Sequence, residues 1–455
     1  MKCVAILARS FSKYEQKRMG LGALMCCFLM AFTLFKPYIA HFPLMDLERS
    51  MASSLKMLMS TQEISEQPQS YSYVESVTPP ITQNLTNSRS QVYEINGDIR
   101  IHGNSSTIFI ATTQQLNTTS SWTAKPYARN FDKNVMRMIR NLKITNQNPN
   151  TTPPCSRRFT APAVVFSTRG YTGNPFHDFT DVLIPLYLTS QPFNTTVIFL
   201  VTNINSWWTS KYKPILNMLS KYDLIDLDNQ DDVLCFPRII VGLKSHKELG
   251  IDQSMPPNYS TADFTKFLRK TYSLERGRLV GGCKDKRRRP RLLIVSRQKT
   301  RRLRNDYEVA ELARSVGFDV RVREMGWHVS LVAKFVNSFD VMVGVHGAGI
   351  TNMVFLPENA VVIQIVPIGL ESLSRNYFEI PSKDMKLRHL EYKVEVRESS
   401  LVEKYGIGNE VFNRQALYNK GWNEFRSVYL DNQDVSIDLF RFKRALLEAM
   451  DLVCS

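Results

Sequence analysis

The chain has 455 residues, with 58 Lys and Arg against 42 Asp and Glu, a formal net charge of +16. Apolar residues are 43% and charged residues 22%, which excludes a wholly disordered, collagen-like or polytopic membrane protein. The charge is also concentrated, five basic residues against Glu15 in 1–18 and eleven against Asp285 in 284–304, unlike the spread face of a nucleic-acid binder, so no nucleic acid is expected as a partner.

The first basic run, 1–18, reads as a cytoplasmic tail. It precedes seventeen uncharged residues, Met19–Phe35, closed by Lys36 and Pro37. At 1.5 Å per residue these make roughly 25 Å of helix, at the short end of a bilayer span. The following KPYIAHFP has no small-x-small site beside the apolar stretch, so 19–36 is expected to be a retained signal anchor. Basic residues on its amino side keep that end cytoplasmic and make the chain a single-pass type II protein. Its short span suits an early secretory membrane, with the bulk of the chain lumenal. Asn84, Asn104, Asn117, Asn150, Asn194 and Asn258 each begin an N-x-[ST] sequon. Cys155, Cys235, Cys283 and Cys454 form an even lumenal set with three connectivities open, and their spacing fits no zinc site.

Residues 37–125, rich in Ser, Thr, Gln and Asn, read as a glycosylated stem. Short β-like pieces (QVYEI, DIRIHG, STIFIAT) soften its boundary. A first α/β unit is expected over 126–283, with strands at Ala163–Thr168, Thr196–Thr202, Leu224–Asp226 and Pro237–Val241. Helices are expected from Pro175 to Ser190, near 210–219 and near 261–275. A second unit, 284–455, places strands at Arg291–Ser296, Phe318–Arg323, Asp340–Val345 and Ala360–Val366. Helices separate them at Asn305–Val316, at Val329–Ser338 and from Ala348, and an amphipathic helix, Ser436–Leu452, closes the chain. Continuous apolar strands alternating with helices predict an α/β fold of two Rossmann-like domains facing a cleft.

Three constellations carry chemistry. In VMVGVHGAGITNMVF a buried strand runs into His346, Gly347, Ala348 and Gly349 and then a helix, an arrangement that brings unpaired backbone amides to a phosphate. In SRQKTR, Arg297 and Lys299 follow the first strand of the same unit and point to the same rim. Lys286, Arg287, Arg288 and Arg289 before that strand read as a solvated face, a linker or a contact for an acidic partner. In GYTGNPFHDFTDVLIP, Asn174 caps a helix with Pro175 at its first position. His177 and Asp181 are then i and i+4 on one face with Asp178 beside them, the pattern of a carboxylate-supported base. A competing D-x-D at Asp226 and Asp228 is a metal-ligating pattern that the phosphate cradle makes redundant, so no metal is expected.

GNPFHDFTDVLIPLY, LLIVSRQKTRRLRN and VGVHGAGITNMVFLPENAVVIQIVP, in that order along the chain, resemble plant members of glycosyltransferase family 61, most closely the xylan-modifying branch. The resemblance spans roughly Cys155 to Ser455. It implies type II Golgi enzymes of GT-B architecture, inverting and without an essential metal or other cofactor. It implies a UDP-pentose donor and a xylan acceptor, substituted at a 2- or 3-hydroxyl, with xylose and arabinofuranose both open as the transferred sugar. It assigns Arg297, Lys299, His346, Gly347, Ala348, Gly349 and Asn352 to the donor, and His177, Asp178 and Asp181 to acceptor-side catalysis. Gln364 stands where distant members carry an acidic residue, which puts a ribose contact there in doubt. An N-glycan core xylosyltransferase and a non-catalytic scaffold of the same fold are the alternative readings, and association with itself or other xylan-synthesis enzymes is a further expectation.

Overall fold

A computed structural model describes residues 81–84, 89–112, 121–279 and 289–455. The expected anchor at 19–36, Asn117, Cys283 and the run 284–288 lie outside the described residues. Among the described residues no helix is long and apolar enough to cross a membrane.

The first sheet contains β1 (Ile81–Asn84), β2 (Val92–His102), β3 (Thr107–Ala111), β4 (Ser121–Ala124) and β5 (Leu142–Gln147). It continues with β6 (Arg157–Arg158), β7 (Ala163–Ser167), β8 (Ile198–Thr202), β9 (Ile225–Asp226) and β10 (Val233–Val241). Its order is β4-β5-β3-β2-β10-β7-β8-β9, with β1 beside β2 and β6 beside β10. The half made of β10, β7, β8 and β9 is parallel, as the apolar runs predict. The other half is mostly antiparallel and takes strands from within 37–125, the span expected to be a stem. Val92–His102, Thr107–Ala111 and Ser121–Ala124 are strands of the sheet, with Ile95, Ile99, Ile101, Ile108 and Ile110 buried. Such short strands are marginal alone, and what fixes them is β10, far along the chain, which pairs Ile239 with Ile95 and Leu234 with Ile101. β10 starts at Val233, ahead of the expected Pro237. Proline has no amide to donate, and a register shift between Phe236 and Arg238 accommodates it. A disulfide between Cys155 and Cys235, Cα atoms 6.0 Å apart, ties the lead into β6 to β10, and Cys454 is disulfide-bonded as well.

The second sheet is wholly parallel, ordered β12-β11-β13-β14-β15, from β11 (Arg291–Val295), β12 (Asp319–Arg323), β13 (Val341–Val345), β14 (Val361–Val366) and β15 (Arg388–Lys393). The closing helix runs from Leu439 to Cys454 and buries Phe442, Leu446, Ala449 and Val453 in the same apolar cluster as β11, β13 and β14. A larger cluster joins the two halves: Phe179 meets Phe355 edge-on at 5.9 Å, and Phe176 packs 4.8 Å from Tyr377.

The segment Pro175–Ser190 is helical, as its cap predicts, with the Asn174 side chain accepting from the Phe176 amide at 3.0 Å. Its middle, Asp178–Leu183, is a π-helix. Pro185 cannot donate to the Asp181 carbonyl, and the wider turn ahead of it avoids that missing bond. Four sequon asparagines, Asn104, Asn150, Asn194 and Asn258, are exposed.

Candidate active site

The carboxyl ends of β11, β12 and β13, three neighbours in the second sheet, lead into one cleft of about 240 Å³. Ser296, Arg297, Gln298 and Lys299 follow β11, Glu324–Gly326 follow β12, and Ala348, Gly349 and Asn352 follow β13. The opposite wall comes from the first half: Pro175, Phe179, Lys211 and Tyr212. Parallel strands point their carboxyl ends the same way, which is why residues far apart in sequence share this rim.

Gly347 has φ +146°, a conformation that favours glycine, and a β-carbon there would lie 2.7 Å from Arg297 Nη1 and displace the guanidinium. The Arg297 guanidinium is thereby pressed against the turn, its Nε donating to the Thr300 carbonyl at 2.8 Å. Residues Ala348–Phe355 form a 3-10 helix, a tighter coil than the expected α-helix. Ile350 makes its first amide bond, to the Gly347 carbonyl, and the amides of Ala348 and Gly349 precede it. Asn352 lines the cleft and donates to the Gly349 carbonyl at 2.9 Å.

Arg301, not singled out by sequence reasoning, lies behind Arg297 in a left-handed backbone conformation with φ 52°. Its buried Nε has no hydrogen-bond partner among the described residues. Burial first, then Arg297, push its pKa down to about 9, with Asp431 opposing and Arg426 adding to the effect. Burial also lowers Arg297, with Glu324 opposing. Cations held together against their own charge form a pocket prepared for an anion.

His346 is buried rather than open at the strand tip. Burial, then Arg301 and Arg297, hold its pKa well below the usual histidine range, so it is neutral. Its Nδ1 takes hydrogen bonds from Ser374 Oγ at 3.0 Å and Gln364 Nε2 at 3.2 Å, while Gln364 Oε1 accepts from His389 Nε2 at 2.9 Å. Gln364 is thus a fully buried bridge between two histidines, which replaces the ribose contact considered from sequence. With Nδ1 an acceptor, the Nε2–H of His346 is its donor. Gln364→Glu should put a negative charge on that bond and raise the His346 pKa by at least one unit, read by NMR titration of its ring.

The three expected catalytic side chains separate. Asp178, fully buried, accepts from Trp208 Nε1 at 2.8 Å, Tyr212 OH at 2.7 Å and the Gly173 amide at 2.7 Å, and pairs with Lys211 at 3.2 Å. These donors tie the helix start to the 206–219 region and leave the carboxylate no room to act as a base. Asp181 bonds His177 Nδ1 at 2.9 Å, Tyr127 OH at 3.0 Å and Arg129 Nε at 3.0 Å. Burial alone would raise its carboxyl, but Arg129, His177 and Arg89 outweigh that and keep it far below the usual range. Asp181 therefore fixes the tautomer of His177, whose Nε2 makes no hydrogen bond among the described residues. Asp228 is committed to Arg140 and, at 2.6 Å, to the Asn203 amide, and neither it nor Asp226 lines the cleft. Among the described residues no group of three or more potential ligands gathers for a metal. Of the second basic run, Arg291 pairs with Asp319, Arg302 and Arg304 pair with Asp434, and Arg304 also with Glu403, while Arg297 and Lys299 line the cleft.

A mixed α/β protein with parallel sheets and a cationic pocket beside a glycine turn is of the kind that grips anionic, nucleotide-like groups. The family model Glycosyltransferase 61 matches residues 123–363, and the chain belongs to that family. Among similar proteins, alpha-1,3-arabinosyltransferase XAT2 of Oryza sativa subsp. japonica is 45% identical over 81% of this chain and 64% of its own length. Beta-1,2-xylosyltransferase XYXT1 of the same plant is 39% identical over 82% of this chain and 85% of its length. Xylan glycosyltransferase MUCI21 of Arabidopsis thaliana is 34% identical over 93% and 90%. The chain thus spans under two thirds of the arabinosyltransferase it matches.

Proposed function

We propose that this chain is an inverting glycosyltransferase of GT-B architecture that moves xylose or arabinofuranose from a UDP-sugar to a 2- or 3-hydroxyl of a xylan backbone xylose. The observation that carries the reading is the cleft at the carboxyl ends of β11, β12 and β13, where Arg297 packs against the Gly347 turn beside Lys299, an arrangement that suits a diphosphate. The names of the relatives support the pentose and the xylan. In this reading His177 Nε2 takes the acceptor's hydroxyl proton, with Asp181 holding the ring. The freed oxygen attacks the anomeric carbon as its bond to UDP breaks. Arg297, Lys299 and Arg301, with the amides after Gly347, take up the charge that develops on the departing diphosphate, and no metal is required. A type II Golgi setting with 19–36 as anchor belongs to the same proposal, supported by the basic tail and by a Cys155–Cys235 disulfide suited to an oxidising compartment.

A second reading of the base rests on Glu324, the carboxylate that lines the cleft itself among the described residues. The true base should lose about 10²–10⁴ in kcat when removed, so His177→Ala and Glu324→Gln decide between them. The function is tested with full-length protein, xylohexaose, UDP-xylose and UDP-arabinofuranose in EDTA, with linkage analysis of the product. A pentosylated product of inverted anomeric configuration is expected. Transfer only to N-glycan acceptors, or none to any acceptor, would replace the reading with one of its two alternatives. Activity restored only by manganese would return weight to Asp226 and Asp228.

A further inference from the structure

Trp207 and Trp327 stack face to face, ring centroids 5.4 Å apart and planes within 12°. They come from opposite walls of the cleft, Trp207 from the helix Ser206–Lys211 and Trp327 from the turn after β12. Trp208, the neighbour in sequence, is fully buried, whereas Trp207 and Trp327 are 41% and 45% exposed. Each presents its partner with one face; the Lys211 ammonium lies over the Trp207 ring and the His328 ring against Trp327 at 5.2 Å, and the rest of each ring surface is open to solvent. Both are continuous with the lining. Met325 and Gly326, just before Trp327, border the cleft with Arg297. Lys211, one turn beyond Trp207, also lines it and sets its ammonium 5.0 Å from the Trp207 ring.

On the transferase reading above, we propose that the outer faces of Trp207 and Trp327 are an acceptor subsite for the xylan backbone. The chemistry suits that ligand. A xylopyranose ring carries its hydroxyls at its edge and C–H bonds on its faces, so a neutral sugar stacks on an indole without needing a counter-charge. The charged pocket lies deeper, at Arg297 and Arg301, and is left to the donor. The outer faces of a stacked pair point away from each other, so each indole receives its own backbone residue and the chain crosses the pair at the cleft mouth.

The test titrates xylohexaose into full-length protein loaded with UDP, alongside steady-state transfer. Trp207→Ala and Trp327→Ala should each weaken xylohexaose binding about tenfold and raise its KM more than they lower kcat. UDP affinity and Tm should stay at wild-type values. Trp207→Phe, which keeps an aromatic face, should recover most of the binding. Unchanged KM and binding in both alanine variants overturns the subsite and leaves the transferase reading standing. Loss of UDP affinity and Tm in step with xylohexaose, uncorrected in Trp207→Phe, also overturns it, because the pair is then only a clasp between the walls. A wild-type chain that neither binds nor modifies xylohexaose sinks the xylan reading and the subsite with it.

Discussion

Arg129→Ala is expected to cost on the order of 3–5 kcal/mol of stability, a large share of the roughly 5–15 kcal/mol typical of a folded protein. Arg129 is buried, and its guanidinium spans two buried carboxylates, with Nε 3.0 Å from Asp181 and Nη2 3.1 Å from Glu248. Arg89 alone would remain, 2.5 Å from Glu248 and 3.5 Å from Asp181. Burial by itself raises both carboxyls, but Arg129 and then Arg89 reverse the effect and hold Glu248 below its ordinary value, as they do Asp181 with the help of His177. Carboxyls depressed in the folded state stabilise it above the unfolded carboxylate pKa, near 4, and that contribution is lost as pH falls through the folded values. The wild type should therefore weaken below about pH 4. In the variant both carboxyls rise, so its deficit should be largest near neutrality and shrink as acid neutralises them. Urea midpoints from pH 7 to about pH 2.5 read both effects. A deficit under about 1 kcal/mol, or one that grows with acid, contradicts the assignment.

That buried network also marks how far the sequence reaches. The second sheet is readable because β11, β13 and β14 are continuous apolar runs of the length a covered parallel strand needs, and its glycine turn is visible in HGAG. The antiparallel half of the first sheet is not, because its partner strand, β10, lies more than a hundred residues away and a polar local composition looks like a spacer. The i,i+4 relation of His177 and Asp181 follows from helical spacing alone. The role of Asp178 does not, since Trp208 and Tyr212 reach it from another helix pair. Arg301 looks no different in sequence from Arg302 and Arg304. Its distinction is a left-handed backbone angle beside the cleft, while the other two find Asp434 and Glu403 at the surface.

The same contrast predicts what happens when Arg297 is replaced. Arg297→Ala should lower kcat by about 10²–10³, the loss seen when one preorganised donor to a developing negative charge is removed. Its effect on stability should run the other way. In the free protein burial disfavours the Arg297 charge, Arg297 in turn disfavours that of Arg301, and the carboxylate that offsets Arg297 is the exposed Glu324. Removing one cation relieves that repulsion, so the urea midpoint should hold or rise slightly while activity falls. A residue retained for folding behaves in the opposite sense, as Arg129 does. Arg297→Lys keeps a charge but loses the planar fork and its seat against Gly347, and should recover only part of the rate. Calorimetry with UDP separates ground-state from transition-state loss: a fall in kcat well beyond the fall in UDP affinity places the arginine on the leaving diphosphate as its charge grows. A kcat within about threefold of wild type, or a drop in stability that matches the drop in rate, would remove Arg297 from the donor site and leave the Gly347 turn as packing.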